Sequence, residues 1–437
     1  MLYFANLIVN EIEVAILWLA RNLNQLKKHC ESNVLYDLPN RSSHTKMDIP
    51  IPGKTCIMNV DELIEPLIWV DSQNALEMMV KDLLTQDFVA VDTESNSLFV
   101  YQEQVCLIQF STGKVDYLVD PLALSDISVL ASVFENGMIE KIFHAAEYDL
   151  IVMKRDYEFQ FQNIFDTMVA GRILGKKALG LGGMLKAEYG IELNKRYQRA
   201  NWGKRPLPQA QLNYARLDSH YLISLRELLF SELERANLSE LAQEDFLRLC
   251  NVRIPESYHI NSENGWRFVG GQHLSPSEMA VLYELYLYRD REARKANLPP
   301  FKIISEQALR EIALACPRVK HEVFQVPTLS ERLARRHGHG IVQAVQRGLK
   351  SDPPPRPPRL EHHEGFMERN DALRLWRKQT GQSLGVESDV VLPRDILEEL
   401  ARKNPSTMVD LSVEMQQVPW RYKRYGRRIL HVLQAAA

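Results

Sequence analysis

Between Phe88 and Pro121 three short β-rich runs, FVAVDTE, QVCLIQFST and VDYLVDP, follow one another with few residues between them. Consecutive strands joined by short connections pair as neighbours, so this stretch predicts a three-stranded meander. The hydrophobic period then changes. SDISVLASVFENG reads as a helix with a Ser cap and a Gly stop, IEKIFH as a strand, and AAEYDLIVMKRDY as a further helix. From Ile164 almost everything has helical spacing, ending in the long segment Pro208 to Ala236. Three neighbouring strands, later βα units and backing helices amount to a layered α/β domain.

Beyond about Arg253 strand signals stop and an internal repeat begins. IISEQALREIALACP (Ile303 to Pro317) aligns without gaps on VLPRDILEELARKNP (Val391 to Pro405), matching Leu309 with Leu397, Ala313 with Ala401 and Pro317 with Pro405. At the same spacing Gly338 and Ile341 fall on Gly426 and Ile429. Two copies of one small helical module explain this. Between them SDPPPRPPRLEHHEG reads as a stiff extended linker, which would make the modules separate bodies.

With 437 residues, 45% hydrophobic and 25% charged, the chain has the composition of an ordinary globular protein of several domains. Its formal charge of -3 supplies no global attraction to a polyanion, so such a partner must be met by local basic patches or bound cations. The five cysteines are scattered and contain no C-x-x-C pair, which argues against a disulfide framework or zinc ribbon and for a reducing, cytoplasmic setting. The apolar start, MLYFANLIVNEIEVAILWLA, lacks a basic lead and is interrupted by Glu11 and Glu13, so it fits neither a signal peptide nor a membrane span. It reads as an amphipathic helix or as an upstream start on a chain that begins near Met47.

The strand FVAVDTE carries two carboxylates. Side chains alternate with period two, so Asp92 and Glu94 share one face of the sheet and Thr93 points to the other. Such a pair is either a solvated strand end or a cation site. Tyr214 and Asp218 in LNYARLDSHYL are four residues apart and share one helix face. Asp149 in HAAEYDL lies on a helix directly after a strand.

Taken together, D-x-E, a mid-domain Asp and Y-x-x-x-D resemble the DEDDy 3'-5' exonucleases, and specifically ribonuclease D. The resemblance runs from Ile68 to about Ala236 through VCLIQFSTG, KIFHAAEYDL, NIFDTMVAGRILG and NKRYQRANWGKRPLPQAQLNYARLDSHYL. The repeated module is similar to the helical HRDC domain. The resemblance implies an α/β, RNase H-like 3'-5' exonuclease domain, with a mixed sheet flanked by helices, followed by two small all-α HRDC-like domains. It divides the chain into an N-terminal extension (1–60), the exonuclease domain (61–250), a first module (268–350), a proline-rich linker (351–365) and a second module (366–437).

It further implies that Asp92, Glu94, Asp149 and Asp218 hold two divalent ions, Mg²⁺ or Mn²⁺, with Asp92 bridging. Tyr214 would orient the attacking water. The implied partner is RNA, with tRNA precursors the expected substrate; neither a membrane nor an obligate protein partner is expected. Single-stranded DNA is the alternative substrate, because two-ion chemistry at the phosphate does not read the sugar. A non-catalytic nucleic-acid binder is the alternative of another class.

Asp166 in NIFDT is expected to cap or anchor the following helix, and His144 and His220 to be satisfied by packing. RHGH and His362-His363 are expected in exposed loops. Two clusters in the repeats are basic: Pro317 to Lys350, with seven Lys or Arg against two Glu, and WRYKRYGRR, in which aromatics interleave five cations. Such patches suit phosphate contact and base stacking, or are plain solvated helix faces. After D-x-E, where relatives place a large apolar residue, this chain has Ser95, Asn96 and Ser97.

Overall fold

A computed structural model describes residues 66–255, 273–354 and 365–436, with Trp266, Val269 and Gly270. The readings of the N-terminal segment, of most of the proline-rich linker and of His362 and His363 lie outside the described residues.

Six strands form one mixed sheet. They are β1 (Leu67–Val70), β2 (Phe88–Ser95), β3 (Val105–Ser111), β4 (Asp116–Val119), β5 (Glu140–Phe143) and β6 (Ile164–Asp166), in the spatial order β1-β4-β3-β2-β5-β6. The expected meander is present, with β3 antiparallel to both β2 and β4. β5 lies parallel to β2 and to β6, and β1 parallel to β4. β1 and β6, of four and three residues, are too short to declare a period and were not foreseen.

Helices cover both faces. They are α1 (Gln73–Leu83), α2 (Glu147–Tyr157), α3 (Thr167–Ile173), α4 (Leu181–Tyr189), α5 (Gln209–His220), α6 (Leu222–Arg235) and α7 (Ser239–Cys250). On one face Val89, Val91, Ile108 and Phe110 pack with Leu76 and Leu83 of α1 and with Leu150 and Met153 of α2. On the other, Ala90, Ile142 and Phe165 pack with α3, α4, α6 and α7. Leu107 and Leu118 meet Trp202 and Ala215 of α5 on that second face.

Two helical expectations change. SDISVLASVFENG is a 3₁₀ turn, Ser128–Leu130, running into the single turn Ala131–Phe134, without a side-chain cap at either start. Its buried residues Ile127, Leu130 and Val133 keep a three-residue step through the 3₁₀ turn, and Phe134 joins them where the α turn begins. The segment Pro208 to Ala236 is two helices that break at Tyr221, because its halves lean on different strands: His220 is tied to Asp116 of β4, and Arg226 to Glu140 of β5 at 2.5 Å.

The repeat folds as two equivalent sets of helices: α8 (Pro276–Ala296), α9 (Glu306–Ala315) and α10 (Glu331–Gly348), then α11 (Phe366–Leu384), α12 (Arg394–Lys403) and α13 (Pro419–Ala435). The spacing extends to the backbone. Asn297 and Gly385 end α8 and α11 in the left-handed conformation, and Cys316 and Asn404 do the same for α9 and α12. Each module has its own apolar core.

Neither module floats free of the sheet domain. Arg421 of α13 is fully buried and binds Glu244 and Asp245 of α7, while Arg172 of α3 pairs with Glu387 at 2.9 Å. The first module holds the β2–β3 loop: the Tyr101 hydroxyl donates to Asp290 at 2.6 Å, and the Lys302 ammonium lies 4.6 Å from the Phe99 ring centroid. Burial of Arg421 removes one cation of WRYKRYGRR from any role at the surface. RHGH lies within α10 and not in a loop, and His337 is buried against the Tyr288 hydroxyl at 2.9 Å. Among the described residues no helix is long and apolar enough to cross a membrane.

Candidate active site

β2 delivers Asp92 and Glu94 to the face covered by α5, and Thr93 to the face covered by α2, as the two packing clusters on either side of Ala90 and Val91 require. β5 accompanies β2 only from Phe88 to Ala90. Beyond Ala90 that edge of β2 has no strand beside it, and the chain leaving β5 turns there into α2.

Asp166 holds this turn. One carboxylate oxygen accepts from the Ala145 N–H at 3.1 Å, the other from the Ala146 N–H at 2.7 Å. The same side chain caps α3 through the N–H groups of Met168 and Val169, as its position before a helix predicted. Ala145 is held at φ +64°, a left-handed conformation that costs a non-glycine residue energy and here is bound from both sides. His144 Nδ1 lies 2.9 Å from the Thr167 hydroxyl. The first turn of α2 is thereby fixed over the bare edge of β2, where the Thr93 hydroxyl donates to Asp149.

α5 brings the other two groups. Asp116 on β4 accepts from Arg216 Nε at 2.8 Å and lies 2.9 Å from His220 Nδ1, clamping one side of α5 to the sheet. Burial would raise the Asp116 pKa, but its bond with His220, the neighbouring cations and the Ser111 hydroxyl hold it below the usual carboxylate value. The Tyr214 ring lies between Tyr197 and Trp202, with centroids at 6.0 and 6.1 Å, and its hydroxyl bonds to Asp218 one turn on. Trp202 is core, and Arg205 is a staple, its guanidinium on Asp120 at 2.6 Å and on the Cys106 and Trp202 carbonyls at 2.7 Å.

All five expected side chains therefore meet at one end of β2, and they perturb one another. Burial first, then Asp149, Asp218 and Glu94, raise Asp92 well above an ordinary carboxylate, with only the Thr93 backbone bond opposing. Burial, Asp218 and Asp149 push Glu94 up to about 9. Burial lifts Asp149 to about 7 against its bond from Thr93, and Asp218 to about 7 against its bond from Tyr214. Tyr214 is raised by burial and then by Asp218, Glu94 and Asp92, so it stays protonated and donates. Four acids crowded in a poorly solvated place bind protons or cations, and an all-oxygen donor set suits hard divalent ions.

The donor set fits such ions in chemistry. Among the described residues no three His, Cys, Asp or Glu side chains already converge on a single cation position. Asp149 accepts from Thr93 and Asp218 from Tyr214, each leaving a further carboxylate oxygen for a cation.

Two supports carry no sequence signal. Thr93 points away from the acids by strand alternation, yet it steadies Asp149 from the far face. Asp116 and its clamp on α5 carried no signal beyond an acid in a strand. The Ser95–Ser97 departure shapes the loop: Ser95 Oγ lies 3.2 Å from the Tyr148 hydroxyl, which itself donates to Glu103 at 2.8 Å, and Asn96 turns inward to accept from the Gln104 N–H at 3.0 Å.

A mixed sheet flanked by helices, with this cluster on its central strand, defines a class as well as a fold. Residues 67–234 match the family model described as 3'-5' exonuclease, and 278–345 and 367–433 each match the HRDC domain. The protein is a 3'-5' exonuclease, of a family that generally depends on divalent metal. It is 32% identical over 284 residues to ribonuclease D of Desulfotalea psychrophila, covering 64% of this chain and 75% of the relative. With ribonuclease D of Pseudomonas paraeruginosa it shares 27% identity over 381 residues, 84% of this chain and 98% of the relative. The crystal structure of Escherichia coli ribonuclease D shares the fold, at TM-score 0.63 and 22% identity over 84% of this chain and 98% of that one. The chain belongs to the ribonuclease D family and is a 3'-5' exoribonuclease.

Proposed function

We propose that Asp92, Glu94, Asp149 and Asp218 hold two divalent ions, Mg²⁺ or Mn²⁺, and that with Tyr214 they trim RNA 3' ends, tRNA precursors above all, to nucleoside 5'-monophosphates. The observation that carries this reading is the meeting of four poorly hydrated carboxylates from β2, α2 and α5, in which desolvation raises all four and the neighbouring acids further raise Asp92 and Glu94. Bound ions supply a hydroxide at neutral pH and relieve charge on the leaving oxygen. The chain's own residues do the rest. Asp92 is raised by burial and then by Asp149, Asp218 and Glu94 together, so it would be the ligand shared between two ions. Asp149, held by Thr93, serves the second position. Tyr214, protonated and packed between two aromatics, positions a water by hydrogen bonding and takes no proton from it.

Exposed cations on both modules offer contacts for RNA phosphates. Arg332, Arg335 and Arg336 of α10 are exposed, as are Lys423, Arg424, Arg427 and Arg428 of α13. In the second module Trp376, Arg427, Arg428 and His431 line an open groove of about 600 Å³. A solved relative titled as an exoribonuclease involved in structured RNA processing supports a structured RNA as substrate. We place the protein in the cytoplasm on the scattered cysteines of its sequence, which form no C-x-x-C pair. The domain division read from the sequence stands as our proposal beside the matched ranges.

The test is a digestion ladder on a 3'-labelled and a 5'-labelled tRNA precursor with and without Mn²⁺. Asp92→Asn is expected to abolish trimming while RNA binding persists. Undiminished trimming by that variant, or preferential digestion of a matched DNA, overturns the assignment.

A further inference from the structure

β3 is apolar from Val105 to Phe110 except at Gln109. That glutamine is fully buried, and neither its Oε1 nor its Nε2 has a hydrogen-bond partner among the described residues. Leaving both ends of an amide unpaired in a core disfavours the fold, and apolar side chains occupy the neighbouring positions of β3. In the sheet register Gln109 stands directly opposite Asp92 on one side and Leu118 of β4 on the other. Directly opposed residues of an antiparallel pair send their side chains to the same face with Cβ atoms about 5 Å apart. Gln109 therefore rises on the face that carries Asp92 and Glu94, beneath α5, beside the walls made by Leu107, Leu118 and Trp202.

An amide there has the right chemistry for a cation site. Its Nε2–H can donate to a carboxylate without adding charge, and its Oε1 can accept from an ordered water. A fifth acid would deepen the repulsion, and a leucine could hold nothing. Carboxylates that ligate metals are themselves held by outer hydrogen bonds, and those bonds contribute to affinity.

We propose that Gln109 is a positioning residue of the metal site, whose amide turns to the Asp92 carboxylate and holds it in the ligating orientation when a divalent ion binds. This rests on the reading of Asp92 as a metal ligand. Both amide ends are then used, Nε2 on the Asp92 carboxylate and Oε1 on an ordered water.

The test is calorimetric titration of the full-length protein with Mn²⁺ in the absence of RNA, comparing wild type, Gln109→Met and Asp92→Asn. Gln109→Met keeps the shape and removes the amide. It is expected to bind Mn²⁺ about 10-fold more weakly, within the range for outer-sphere partners. Its metal-free melting temperature should equal or exceed that of wild type, and its trimming rate should recover as Mn²⁺ is raised. A core residue without this role would leave the Mn²⁺ titration unchanged. Wild-type affinity in Gln109→Met, with binding lost in Asp92→Asn, overturns the inference and leaves the metal site standing. Unaltered Mn²⁺ binding in Asp92→Asn overturns both. If Gln109→Met fails to fold, Gln109→Asn, which retracts the amide by one methylene, is expected to show the same weakened binding, and wild-type affinity there refutes the role.

Discussion

Asp92 and Glu94 share a strand face because the chain alternates, and Tyr214 and Asp218 share a helix face because four residues make about one turn. Both pairs were legible for that reason. Thr93, Asp116 and Gln109 were not, since their partners are set by strand register and by helices that return from far along the chain. Gln109 did leave one trace, a single amide inside an apolar run. The electrostatics make a pH prediction. Unfolded, the four acids titrate near 4; folded, Asp149 and Asp218 lie at about 7 and Glu94 at about 9, with Asp92 also raised. Raised acids stabilise the fold in their neutral form, so that contribution is complete below about pH 4 and is lost as pH rises through about 7 and 9. Without divalent ions the melting temperature should therefore fall between pH 5 and pH 9, and Mn²⁺ should restore most at the alkaline end, where the ligands are charged. A melting temperature indifferent to both would contradict the buried cluster. Tyr214→Phe keeps the ring between Tyr197 and Trp202 and loses the hydroxyl; kcat should drop by up to about 10²-fold with little change in KM, as steady-state assays will read.

At the level of elements, the site depends on clamps outside it. Asp116 ties Arg216 and His220 to β4, and α5 cannot shift without moving Tyr214 and Asp218. Asp116→Ala leaves the Arg216 guanidinium buried without its carboxylate, a change worth roughly 3 to 5 kcal/mol in comparable buried pairs. Urea unfolding should report a loss of that order, with a larger fall in kcat than in RNA affinity. α13 likewise depends on a partner far along the chain. WRYKRYGRR looked like one basic surface, but Arg421, Tyr425, Ile429 and Leu433 recur at helical spacing and are all buried. The period already separated a buried side from an exposed one. What it could not show was that the buried cation has its acids on α7, in another domain of the chain.

For the whole molecule, the repeat and the layered fold could be read from periodicity, whereas the seating of the modules could not, because it is made by single residues: Arg421 on α7, Arg172 beside Glu387, Tyr101 against Asp290. Removing the second module after residue 354 strips Arg421 from Glu244 and Asp245 and takes Val386, Val390 and Trp420 out of the apolar cluster they share with the sheet domain. The truncated chain should melt at lower temperature and bind a hydrophobic dye that the full chain excludes; an unchanged melting curve would mean that the docking contributes nothing to the fold.

The five groups at the end of β2 come from a central strand, from a helix on one side of the sheet and from a helix on the other. No partly packed chain holds them together. On the assignment proposed above, the site is complete only once the chain has been made through Asp218 and both helix layers have packed on the sheet.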